Sequence, residues 1–207
     1  MKNNKCNKYL DCLNDHNMYF EFNIIRKLGP LLLEDKPIHL FCFRKNFKFK
    51  EKILKLINKD FKDLEKIKYK IIPCVNDTIK ILFYNIVNIQ KVLNNKPKVD
   101  FLKRQGHKVS DNYKHFIDYF IGKLEKNIIP PEIGIFFGYP VKDVIGYIGH
   151  PSLECTATKG WKFYGDTRVS EEKFKKYTTA EKLLEKYIDL FDESTRKIIE
   201  SIDKDLS

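Results

Sequence analysis

The sequence predicts an α/β domain, with α+β as the variant form: a mixed β-sheet of about four to five strands, covered by helices and finished by C-terminal helices. Three observations predict it. Apolar segments of strand character (IHLFCF, YKIIPCV, TIKILFYN) are interspersed along the chain with amphipathic helical patterns, which fold as helices laid on a sheet. YKIIPCV and TIKILFYN flank Asn76-Asp77, a turn pair, so two neighbouring strands form a hairpin. The third is size. A chain of 207 residues, against roughly 150 per domain, favours one compact unit with a long terminal element. Residues 17–207 are expected to form that unit, and the polar segment 1–16 to be mobile.

In chain order, residues 17–28 (NMYFEFNIIRKL) read as a helix closed by Gly29-Pro30, because proline lacks an N–H and restricts its predecessor. Pro37 introduces IHLFCF as a buried strand. From about residue 47 to 64, Phe47, Ile53, Leu56, Ile57, Phe61 and Leu64 recur at three- and four-residue spacing, which predicts a helix. Pro73 places its strand at an edge or a bulge. IVNIQKVLNN and VDFLKRQG are short helical patterns separated at Lys96-Pro97, and Gly106 stops the second. Ser110 is the expected N-cap, with Asp111 in the first turn, of a helix striped by Phe116, Ile117, Phe120, Ile121 and Leu124. EIGIFFGYP, after Pro130-Pro131, reads as a strand. VKDVIGYIG follows as a short helix with Pro140 at its first position. GWKFYGD reads as a strand, with Trp161 and Phe163 on one face and Lys162 and Tyr164 on the other. A long helix from Ser170 carries Phe174, Tyr177, Leu183 and Leu184, and Ile198, Ile199 and Ile202 mark a last one.

Composition narrows the function classes. With 43% hydrophobic and 14% aromatic residues the chain is too apolar for disorder, and with nine Gly and eight Pro it is neither fibrous nor low-complexity. No run approaches the roughly 18 apolar residues of a membrane span. The N-terminal stretch MKNNKCNKYLDCLNDHN has no apolar centre for a secretory signal, so a cytoplasmic location is expected. The formal charge of +11 invites a nucleic-acid reading. Yet only five of 39 basic residues are Arg, the side chain that base-edge recognition favours. Lys, Asn, Ile, Phe and Tyr fill 100 of the 207 positions, as an AT-rich coding sequence would produce. The densest basic stretch, Arg44 to Lys70, is read as a solvated helix face. The competing reading is a polyanion-binding face that uses Lys48, Lys52, Lys55 and Lys59.

Five cysteines at 6, 12, 42, 74 and 155, without a CxxC pair, argue for reduced thiols rather than a disulfide framework. The cluster Cys6, Cys12 and His16 matches no common zinc spacing, so no metal site is expected. His39 and Cys42, three apart on a strand, point to opposite faces, and Cys42 and Cys74 read as small core residues. No Cys has a local device, such as a helix N-terminus or adjacent cation, that would activate a thiolate. No Ser/His/Asp order, HExxH, Walker-type loop or GxGxxG occurs, so the sequence names no cofactor.

Two segments carry what chemistry the sequence offers. In FFGYPVKDV a tight bend at Gly138 precedes a helix whose free N–H groups attract anions. Pro140 removes one donor there and Asp143 supplies negative charge, so a plain capped helix is the simpler reading. In GWKFYGD, Trp161, Lys162 and Tyr164, facing Tyr139, suit a planar or anionic ligand, against the simpler reading of a buried aromatic strand. Glu132, beside two prolines and before an apolar run, is the carboxylate whose burial is worth testing.

EIGIFFGYPVKDVIGYI (Glu132 to Ile148) and GWKFYGD (Gly160 to Asp166) together resemble the signature blocks of an uncharacterised bacterial family, known chiefly from clostridia and related anaerobes as a domain of unknown function. Weaker similarity in KLGPLLLEDKPIHLF and ILFYNIVNIQKVL extends the resemblance over most of residues 25 to 180. The resemblance implies no activity. It does imply a departure: typical members carry a Cys before the first Pro, a His before EIG and a Cys near the Trp block, where this chain has Gly29, Pro131 and Thr158. A thiol-histidine or metal function in relatives would be missing from this copy, and Cys155 stands in a different register.

Three functions follow as expectations. The first is a binding protein for a small anionic or aromatic ligand at Gly138, Tyr139, Asp143, Trp161, Lys162 and Tyr164. The second is an enzyme with Glu132, Asp143 or Asp166 as general base and Lys162 stabilising negative charge. The third is the polyanion module already described. No membrane insertion is expected, and the oligomeric state is left open.

Overall fold

The structure, a computed structural model, describes residues 11–12, 20–47, 50–74, 77–110, 112–189 and 195–205. Its main sheet contains β2 (Ile38–Arg44), β3 (Ile67–Pro73) and β4 (Thr78–Asn85), antiparallel in the order β2, β4, β3. Two residues, β1 (Asp11–Cys12), pair parallel with β2. The Cys6, Cys12, His16 cluster and the expected mobile segment otherwise lie outside the described residues, as does Lys48. A second sheet is the antiparallel pair β5 (Cys155–Lys159) and β6 (Trp161–Tyr164). The fold is therefore a mixed architecture of the α+β form.

Register explains why both faces of the main sheet are apolar. Side chains of residues paired across neighbouring strands share a face, and Phe41 pairs with Ile81 while Leu40 pairs with Leu82. Phe41, Phe43, Ile81, Phe83 and Ile67 make one core with α1 (Phe20–Lys27), α2 (Gly29–Leu33), α3 (Lys50–Phe61), α8 (Arg168–Asp189) and α9 (Thr195–Asp205), through Ile24, Leu31, Ile57, Leu184 and Ile199. Ile38, Leu40, Ile72, Leu82 and Tyr84 make the other with α4 (Ile86–Leu93), α5 (Lys96–Arg104), α6 (Tyr113–Glu125) and α7 (Val141–Ile148). Each fully buried Phe or Leu contributes about 1.5–3 kcal/mol. β3 and β4 pair as the expected hairpin, Asn76 of the expected turn lying outside the described residues, and Pro73 sits on the edge strand, whose Lys68 and Lys70 discourage pairing with another sheet.

Asp203, buried on α9, accepts from the backbone N–H groups of Glu65, Lys66 and Ile67 at 2.7, 2.9 and 2.9 Å. One carboxylate thereby docks the last helix onto the start of β3.

Two local expectations are corrected and a third is extended. EIGIFFGYP is not a strand: Pro131–Ile135 is a 3-10 turn, closed by Phe136 N–H donating to the Ile133 carbonyl at 2.8 Å. A short buried apolar run looks alike in both forms, and here Pro130-Pro131 fixes the entry into tight turns. α1 does end at Lys27, just before Gly29-Pro30, but that pair also opens α2, where proline suits the first turn. The N-cap of α6 is Asn112, whose side chain accepts from Lys114 N–H, while Ser110 Oγ accepts from Asn112 N–H. No helix among the described residues is long and apolar enough to cross a membrane.

Candidate functional site

Asp143, in the first turn of α7, organises the region. Its carboxylate is buried, and it accepts from Trp161 Nε1 (2.8 Å), Ser170 Oγ (2.7 Å), Tyr164 N–H (2.9 Å) and Lys142 Nζ (2.7 Å). Lys142 Nζ also donates to the Tyr164 carbonyl and to Ser170 Oγ, each at 2.7 Å. Four donors on four lone-pair positions satisfy the carboxylate, and a buried charge is tolerated only when so paired. The group is a bracket holding α7, β6 and α8 together.

That bracket fixes the aromatic wall. Trp161 stacks on Tyr139 with ring centroids 4.6 Å apart and planes at 19°, and Phe174 meets Trp161 edge-on at 6.0 Å. The bend is shaped by Gly138, at φ +80°, where a Cβ would lie 1.9 Å from Tyr177 Oη. Both the left-handed backbone and the approach of that phenol require glycine. Tyr177 Oη donates to the Gly138 carbonyl at 3.4 Å, and burial above all pushes its phenol well above the usual tyrosine range, with Asp35 adding to it.

Between this wall and the stretch from the end of α1 to the start of β2 lies a hollow of about 250 Å³, lined by Tyr139, Trp161, Phe174 and Tyr177 and by Lys27, Lys36, His39 and Glu181. Lys36 Nζ donates to His39 Nδ1 at 3.0 Å. Because an ammonium can only donate, the neutral imidazole carries its hydrogen on Nε2. Lys36 and Lys173 Nζ sit 5.7 and 5.4 Å from the Tyr177 ring centroid, within cation–π range. Glu181 is engaged by Arg26 at 2.7 Å and Lys27 at 3.3 Å, and Asp35 by Lys173 at 2.5 Å.

Of the residues singled out from sequence, Tyr139 and Trp161 line the hollow, while Gly138 shapes it and Asp143 holds Trp161 from behind. Lys162 is exposed, 5.9 Å from the Tyr147 ring centroid, beside a recess of about 10 Å³ that Asp143 also lines. Tyr164 does not share the exposure of Lys162. It is buried against Gly146, where a Cβ would lie 2.3 Å from Tyr164 Cγ. Glu132 leaves the region: its Oε1 meets His107 Nε2 at 2.5 Å beside a separate recess of about 30 Å³ lined by Phe116, Tyr119 and Phe136. Asp166 is on the surface, where Arg168 holds its carboxyl at about 2. Lys52, Lys55 and Lys59 are exposed on α3. Among the described residues, no group of three His, Cys, Asp or Glu side chains could hold a metal ion.

Lys27, Lys36, His39 and Tyr177 were not nominated by sequence. They lie more than a hundred residues from Trp161 in the chain or on another helix. The one local signal was Lys36-Pro37-Ile38-His39, a cation and an imidazole held at the mouth of a buried strand.

No curated protein and no solved structure matches the chain. A family model described as protein of unknown function (DUF3793) matches residues 24–199, a span that holds the segments Glu132 to Ile148 and Gly160 to Asp166, the Asp143 bracket and every residue around the hollow. The chain belongs to the DUF3793 family.

Proposed function

We propose that this chain is a cytosolic binding protein for a small anion bearing a planar ring, held in the hollow between Trp161 and the Lys36–His39 pair. The observation that carries this reading is the division of the lining: ring faces and edges on one side, and on the other Lys36, an oriented imidazole and a Lys27 already paired with Glu181. Aromatic edges and faces suit a planar ligand, and cations in a partly enclosed cleft attract an anion more strongly than they would in water. About 250 Å³ falls below the roughly 300–1,000 Å³ of drug-sized sites. A single ring with a carboxylate or phosphate monoester suits that space, and a dinucleotide does not. Binding is favoured over catalysis because the carboxylates nominated as bases are engaged elsewhere: Asp143 by four donors, Glu132 by His107 and Asp166 by Arg168.

Trp161 is the only tryptophan, so its fluorescence reports on the hollow directly. Titration with aromatic carboxylates and a nucleoside monophosphate is expected to give a saturable change for at least one compound, with a raised thermal midpoint. Lys36→Met is expected to weaken that compound by about tenfold or more, the worth of one charge-assisted hydrogen bond. A panel in which nothing perturbs Trp161 or the midpoint overturns the reading, as does an unchanged affinity in the variant.

A further inference from the structure

On the opposite face of the main sheet, Lys80 of β4 is fully buried, its Nζ surrounded by Asn127 Oδ1 at 2.7 Å, Cys74 Sγ at 2.9 Å and the Leu124 carbonyl at 3.2 Å. None of these three is a carboxylate, and a buried ammonium without one is costly. The setting is built for the nitrogen all the same. Leu124 lies in the last turn of α6, where free carbonyls and the negative end of the helix dipole gather. Asn127, the one non-glycine residue of positive φ among the described residues (58°), turns its side chain to the same point.

The nitrogen–sulfur contact is the unusual part. A separation of 2.9 Å is ordinary for N–H···O, and sulfur is the larger atom. An oxygen bonded to both atoms would hold them at nearly that separation, so little backbone movement is needed to join them.

We propose that Lys80 and Cys74 form a reversible oxidative cross-link, in which dioxygen supplies one oxygen atom to bridge Nζ and Sγ as an N–O–S link. Starting from the ammonium and the thiol, the ammonium first gives up one proton to solvent, leaving one amine and one thiol to react. An S–O bond and an N–O bond form and the O–O bond breaks, while the second oxygen leaves as water with the thiol hydrogen and one amine hydrogen. Sulfur and nitrogen give two electrons each, the four that dioxygen takes up. Two equivalents of a dithiol reverse the step and release water. The bridge removes the buried positive charge, and with it the donors that hold Leu124 O and Asn127 Oδ1, so oxidation slackens the end of α6. Cys42, opposite Lys80 on β2, provides the control. Burial pushes its thiol up despite Lys80, which keeps it in the less reactive thiol form.

Intact mass spectrometry of the full chain, aerated and then treated with dithiol, tests this. The expected product has gained one oxygen and lost two hydrogens, reverts on reduction, and resists tryptic cleavage after Lys80. The change should persist in Cys42→Ala and vanish in Cys74→Ala, neither of which removes the buried cation. No mass change in air, gains of whole oxygens only, survival of the product in Cys74→Ala, or its loss in Cys42→Ala would each overturn the proposal.

Discussion

Trp161 Nε1 donates to Asp143 Oδ2 at 2.8 Å, a bond that ties the segment Glu132 to Ile148 to the segment Gly160 to Asp166. Asp143→Ala would leave the indole, the Tyr164 N–H, Ser170 Oγ and the Lys142 ammonium facing a void. A loss of about 3–5 kcal/mol in chemical denaturation is expected, as for any buried charge network stripped of one partner. Asp143→Asn keeps the shape but turns an NH₂ toward existing donors, so it should cost about 1–3 kcal/mol. Wild-type stability for both variants would show that the bracket carries no load.

Gly138 and Tyr177 form a pair whose substitutions should not add. Gly138→Ala forces an L residue to φ +80° and places a methyl 1.9 Å from Tyr177 Oη but 3.1 Å from Cζ. Tyr177→Phe removes the nearer atom. The double variant is therefore expected to be more stable than the sum of the two single losses by about 1 kcal/mol, with backbone strain of about 1–2 kcal/mol remaining. Additive losses in a double-mutant cycle would refute the contact.

Two helical glycines should respond in opposite directions to the same change. Gly146→Ala on α7 meets Tyr164 Cγ at 2.3 Å and is expected to destabilise by about 1–3 kcal/mol through overpacking. Gly122→Ala on α6 meets nothing within 4 Å and should stabilise by about 0.5–1 kcal/mol, the helix-propensity gain. Thermal melts of the two variants, measured side by side, decide it.

Asp166 gives a pH prediction whose sign can be worked out. Arg168, through its side-chain and backbone hydrogen bonds, lowers the folded carboxyl to about 2, below the ordinary value of about 3.9. A depressed folded value contributes stability that is present above the ordinary pKa and fades as pH falls toward 2. The pair is fully exposed, so solvent screens it and global stability should barely register the change. Carboxyl chemical shifts in an NMR titration should show the low midpoint, and Arg168→Ala should return it to the ordinary range.

Much of the main sheet was legible because its signals are local: Asn76-Asp77 sets the hairpin, Pro73 its edge, and the Phe116 to Leu124 stripe a buried helix face. Tyr139 and Trp161 were also legible as neighbours, through the two blocks that contain them. The cationic half of the hollow was not, because Lys27, Lys36 and His39 reach it from a helix end and a strand entrance more than a hundred residues from Trp161, and nothing local marks which lysine of many turns inward. Lys80 shows the same limit from the other side. Strict alternation in TIKILFYN places it with Leu82 and Tyr84 on the buried face, yet a lysine there reads as solvent-facing until Cys74 and the end of α6 are seen around it.

The clasp made by Asp203 sets an order on assembly. Its three bonds span 136 to 138 residues of sequence, so the backbone N–H groups of Glu65, Lys66 and Ile67 meet this acceptor only after α9 has been made, long after the hairpin itself. Closing so long a loop is entropically expensive and slow. Until that helix docks, those three donors are open to another acceptor, and Lys68 and Lys70 on the same strand discourage a foreign edge from taking them, before docking as after it.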